Sequence, residues 1–136
     1  MTVIEKLQNK FTLLVEKNGG IIFSSSKKGI VPLLELLDKN PDLKGAAAVD
    51  KIVGKAAALL YSLTEISEVN AGTMSVAACE ILGNNNIRYT FECLTNEIIN
   101  RRGDGLCPME QAVKDIDSPE AALEAVKKKL SELNNK

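Results

Sequence analysis

The chain contains no histidine at all. That absence removes the usual general base, the usual partner of a serine or cysteine nucleophile and the commonest zinc ligand, so histidine-dependent hydrolysis is excluded within one chain. Cysteine is sparse: Cys79, Cys93 and Cys107 are odd in number and too far apart for a CxxC metal or redox motif, so they read as reduced thiols. Neither sign of charge dominates, with 17 Lys and Arg against 18 Asp and Glu, which leaves no field to hold nucleic acid nonspecifically or an anionic membrane. No apolar run approaches the roughly 20 residues that span a bilayer, and Met1 to Asn9 lacks the basic start and apolar core of a signal peptide. No membrane partner and a cytoplasmic location are expected. What is present is 136 residues at 45% hydrophobic content, enough for one buried core and a single domain over 1–136.

Along the chain, Val3 to Asn9 suggests a short helix. Phe11 to Lys17 is apolar and β-prone, and Asn18-Gly19-Gly20 then turns it into an antiparallel partner, Ile21 to Ser25. After a basic loop, Lys27 to Gly29, Pro32 opens a helix that Asn40-Pro41 ends. The alanine-rich Gly45 to Val49 suits a central strand packed closely by helices. Asp50 stands where an N-cap belongs, and Lys51 to about Leu63 is apolar around most of a helix. A second unit follows: a strand over Glu68 to Ala71, a turn at Gly72-Thr73 and a helix from Met74 to Leu82. Ile87 to Leu94 alternates as a half-buried strand does, and two helices beginning at Pro108 and at Ser118-Pro119-Glu120 close the chain. The order α-β-β-α-β-α-β-α-β-α-α predicts an α/β fold: a three-layer α/β/α sandwich around a five-stranded mixed sheet.

Strand-to-helix junctions at the carboxyl ends of strands are where open α/β sheets bind ligands, which directs attention to Lys44 to Tyr61, KGAAAVDKIVGKAAALLY. With a helix opening at Lys51, Lys51 and Lys55 lie one turn apart on one face and could converge on a phosphate or carboxylate; a solvated stripe is the competing reading. Gly54-Lys55 is no phosphate-binding P-loop, since the GxxxxGK[ST] spacing is absent. Asp50 reads first as a helix cap and second as a partner for Lys51 or a ligand hydroxyl. Thr73 and Ser75 read as caps able to donate to a ligand, and Met74 as core. The polar segment Asn100 to Glu110, with Arg101, Arg102 and Asp104, reads as a lid or pocket wall. Cys107, just before Pro108, would sit at a helix start that favours thiolate, against the alternative of a thiol packed under the loop. Glu110 reads as the capping-box residue of its own helix.

The element order, VDKIVGKAAA at Val49 to Ala58 and INRRGDGLCPME at Ile99 to Glu110 together resemble the small bacterial DUF1893 family over nearly the whole chain. The resemblance implies a cytidine deaminase-like fold and no established activity. Zinc deaminases open two helices with His (or Cys)-x-Glu and Pro-Cys-x-x-Cys. The helix starts that would correspond read Asp50-Lys51-Ile52 and Gly72 to Val76, which supply neither motif, so zinc-dependent deamination is not expected and no metal or cofactor is implied.

The expectation is a protein binding a nucleotide-like or other anionic small molecule in a pocket of Asp50, Lys51, Lys55, Thr73, Ser75 and the Arg101 to Cys107 loop. The alternatives are a metal-independent enzyme using Cys107 as nucleophile or Lys51 as base or amine, and a structural or regulatory protein acting through a dimer or partner surface. Sheet edges and small size make a homodimer an expectation as well.

Overall fold

The computed structural model describes residues 1–134. Its elements are α1 (Val3–Lys6), β1 (Leu13–Lys17), β2 (Gly20–Ser25), α2 (Val31–Lys39), β3 (Ala47–Val53), α3 (Lys55–Tyr61), β4 (Glu68–Ser75), α4 (Val76–Asn84), β5 (Arg88–Thr95), α5 (Pro108–Ala112) and α6 (Pro119–Asn134). The five strands form one mixed sheet in the order β2-β1-β3-β4-β5. β1 is antiparallel to both β2 and β3, while β3, β4 and β5 run parallel, as strands joined by crossover helices must. The hairpin turns on Asn18 and Gly19, both at positive φ, the backbone that a two-residue connection between twisted strands needs.

Alternation along the strands divides the interior. Leu13, Val15, Ala48, Val69 and Ala71 join α2 to α6 in the main core, and Leu14 and Val49 join Val3 and Leu7 at α1 on the other face. α1 has only four residues, so the second face is thinly covered, and its β4 and β5 portion is polar: Asn70 donates to Ala48 and Glu68 and accepts from Thr90 Oγ1 at 2.6 Å. Among the described residues no helix is long and apolar enough to cross a membrane.

α1 stops at Lys6 and β1 begins at Leu13, both shorter than expected, and two strand-to-helix junctions differ in kind from the sequence reading. β3 does not end at Val49. It carries Asp50, Lys51 and Ile52, because Asp50 pairs with Leu13 on one side and Ala71 on the other, and Ile52 pairs with Thr73. Gly54, four residues beyond the expected N-cap Asp50, is the N-cap of α3. Likewise Gly72-Thr73 is no turn but the middle of β4, where Thr73 lies between Ile52 and Cys93. Gly72 serves close strand approach: a Cβ there would meet the Lys51 carbonyl oxygen at 2.8 Å. The later helix starts fall where expected, with Pro108 opening α5 and Ser118 Oγ accepting from Ala121 N–H at 3.3 Å.

Candidate functional site

The N-terminus of α3, the expected anion site, is already filled from within the chain. Lys55 N–H donates to Glu110 Oε1 and Ala56 N–H to Glu110 Oε2, each at 2.8 Å. The Glu110 carboxylate therefore caps α3 from a distant element and does not close a capping box on α5, correcting its expected role. The contact explains why residue 54 is glycine: a Cβ there would meet Glu110 Cδ at 2.7 Å and Ile98 Cγ1 at 2.8 Å. Sequence reasoning noticed Gly54 only as part of a Gly-Lys pair, whereas close backbone approach is the general meaning of such a residue.

Asp50 is not a helix cap. Its carboxyl points to the main-core face, where Tyr61 Oη donates to Oδ2 at 2.7 Å. Tyr61 is fully buried and Asp50 half-buried, with the carboxyl turned inward onto the phenol. Desolvation pushes the Asp50 carboxyl up to about 7, opposed by the hydrogen bonds from Tyr61 and the Ile52 and Lys51 backbone. Burial, then the neighbouring Asp50 charge, pushes the Tyr61 phenol well above its ordinary value. Tyr61 has no role in the sequence reading. Its signal was a polar tip that had to find a partner.

The two lysines are separated. Lys51 is a strand residue exposed on the α1 side, lining a small cavity of about 140 Å³ with Ile4, Leu7 and Phe11. Lys55 opens α3 and is tied down, its Nζ donating to the Lys114 carbonyl at 3.0 Å and pairing with Asp117 at 3.4 Å. They do not converge on one phosphate, since strand geometry sends Lys51 to the α1 face while Lys55 sits on α3 on the opposite face of the sheet. Thr73 is a strand residue and caps nothing. Ser75 does cap α4, accepting from Ala78 N–H at 3.2 Å. Met74 is fully buried core.

The segment after β5 folds back as a narrow loop in which Ile99 bridges to Leu106 and Cys107 N–H donates to the Ile98 carbonyl at 2.9 Å. Asn100 organises it, its amide donating to Asp104 at 2.9 Å and its Oδ1 accepting from Gly103 N–H at 2.8 Å. Arg101 and Arg102 project from its exposed tip. Cys107 stands at the N-cap of α5 without a capping hydrogen bond, half-buried against the main core. The loop thus delivers Ile98 and Glu110 to Gly54. Among the described residues no group of three or more Cys, Asp and Glu is placed to hold a metal ion. A polar cavity of about 450 Å³ opens at the other end of the sheet, between Ser62 to Ser67 and Asn85 to Arg88.

The family model described as "Domain of unknown function (DUF1893)" matches residues 2–130. The chain belongs to the DUF1893 family. A crystal structure of a DUF1893 family protein from Thermotoga maritima is similar to it, with a TM-score of 0.81 and 28% identity over 96% of this chain and 84% of that one. The shared fold is thus an α/β fold with a five-stranded mixed sheet flanked by helices. No curated protein matches the chain. For this DUF1893 protein, function must therefore be argued from the side chains themselves.

Proposed function

We propose that the protein binds a nucleotide-like or other polar anionic small molecule on the α3 side of the sheet, Asp50 taking a hydroxyl or amine donor and Arg101 and Arg102 the anionic group. The observation that supports this reading is the Asp50 carboxyl, held on Tyr61 at 2.7 Å with its pKa raised to about 7. A half-buried carboxyl poised near neutrality on a central strand destabilises the fold by its desolvation, and perturbed groups of this kind concentrate at functional sites. Tyr61 and the Ile52 and Lys51 backbone use three of the carboxylate's roughly four acceptor positions, and a ligand donor would take the remaining one. Because Glu110 occupies the α3 N-terminus, the anionic group is assigned to the exposed arginine pair. The reading stops at binding, since Lys51 stands on the opposite face of the sheet from the Asp50 carboxyl.

The test is a thermal-shift screen against nucleosides, nucleotides, nucleotide sugars and simple anions, run with Asp50→Asn and with the double variant Arg101→Ala, Arg102→Ala. A ligand at 100 times its Kd adds about 2.7 kcal/mol of stability, a shift of several degrees. A shift lost in Asp50→Asn supports the reading. No shift at millimolar ligand, or one that persists in both variants, ends it.

A further inference from the structure

β5 is an edge strand of eight residues, exposed along nearly its whole length, and its register with β4 is regular from Arg88 opposite Glu68 to Thr95 opposite Ser75. The other edge, β2, is blunted by a register break opposite Val15 and Glu16. β5 has no such protection. Arg88 N–H donates to the Ser67 carbonyl at 3.0 Å, so Arg88, Thr90, Glu92 and Leu94 direct their backbone groups at β4. By alternation Tyr89, Phe91 and Cys93 direct theirs at the open edge.

We propose that a second copy of this chain pairs antiparallel, β5 to β5, about a two-fold axis through Thr90, making one sheet continuous across a homodimer. In that register Tyr89 and Phe91 each exchange two edge hydrogen bonds, with Phe91 and Tyr89 of the other copy respectively, using the backbone groups that face outward. The non-hydrogen-bonded rows, where side chains come closest, then place Arg88 opposite Glu92 twice and Thr90 opposite itself. The two charges have opposite sign and sit symmetrically about residue 90, so self-pairing is attractive. An axis on Glu92 would set that carboxylate against its copy, and one on Phe91 would set Arg88 against Leu94. Arg88 is free to reach across, its side chain being 77% exposed beyond a long 3.4 Å contact to Glu68. Glu92 is held on the same face by Val3 N–H, which donates to its Oε2 at 2.8 Å. On the opposite face Tyr89 and Phe91, 37% and 40% exposed, cover each other across the axis. This surface is independent of the ligand reading.

Sedimentation velocity on the full chain tests it. The wild type is expected to dimerise reversibly, and Arg88→Glu or Glu92→Arg to weaken the dimer about tenfold or more by setting like charges opposite. An equal mixture of the two variants is expected to recover a dimer, since one copy then carries two acids and the other two bases. In a Cys93→Ser background, Thr90→Cys should cross-link under mild oxidation and Phe91→Cys should not, because a non-hydrogen-bonded pair lies within disulfide reach. A monomeric wild type, charge variants that dimerise normally, a mixture that fails to recover, or a cross-link at 91 in place of 90 overturns the proposal.

Discussion

Removing the Glu110 carboxylate should unfasten α3, although Glu110 lies in another helix. The side chain accepts two backbone N–H groups at 2.8 Å, and nothing else among the described residues caps that helix end, since Gly54 has no side chain. A hydrogen bond to a charged group contributes about 1.5–3 kcal/mol, and a lost helix cap costs about 1–2 kcal/mol. The site is part-buried, so water replaces some of what Glu110→Ala removes, and the net cost should be about 2–3 kcal/mol. For a domain of this length that is a fall in Tm of about 7–11 °C. Glu110→Gln keeps one acceptor oxygen and should cost about 1 kcal/mol. Gly54→Ala drives a Cβ into the same carboxylate, so its cost should shrink by about 1 kcal/mol or more in a Glu110→Ala background. Urea unfolding of the four proteins in this cycle, with hydrogen exchange at the Lys55 and Ala56 amides, measures both claims. A Glu110→Ala cost below about 0.5 kcal/mol, or strict additivity with Gly54→Ala, would refute the reasoning.

Asp50 should make stability fall with rising pH. Its folded pKa of about 7 stands above the unfolded 3.8, so the unfolded chain loses the proton first and stability declines progressively between about pH 4 and 7. The decline is capped at about 4 kcal/mol by the size of the shift, and the exposed part of the residue reduces it. No histidine titrates in that window. Asp50→Asn should therefore flatten the profile between about pH 4 and 7 in urea melts, and an unchanged slope would remove Asp50 as its cause. Ser75→Ala should cost about 1 kcal/mol by uncapping α4 in the same assay. Lys51→Met, on the exposed far face, should change stability by less than about 0.5 kcal/mol and leave any ligand-induced thermal shift intact.

Much of the architecture is written in local signals. Asn18-Gly19 demands a tight hairpin, Asn40-Pro41 ends a helix, Pro108 and Ser118-Pro119 begin two more, and strands separated by helices must run parallel. Each follows from a few neighbouring residues, so each is legible in one sequence. The site was less legible because its geometry depends on partners far along the chain. Asp50, Lys51 and Ile52 would suit a helix start. They are strand because β1 and β4 pair with that stretch from both sides, and ladder hydrogen bonds outweigh a weak local preference. The extension of β3 by four residues changed the chemistry, since strand alternation sends Asp50 to Tyr61 and Lys51 to the opposite face. Glu110 meets Gly54 across more than fifty residues of sequence, a contact no local pattern encodes. The sequence by itself determined the elements, their order and the absence of histidine chemistry, through dihedral preference, periodicity and composition. Only the tertiary structure decided which charged groups meet, because that follows from sheet register and from which carboxylate reaches an unsatisfied helix end first.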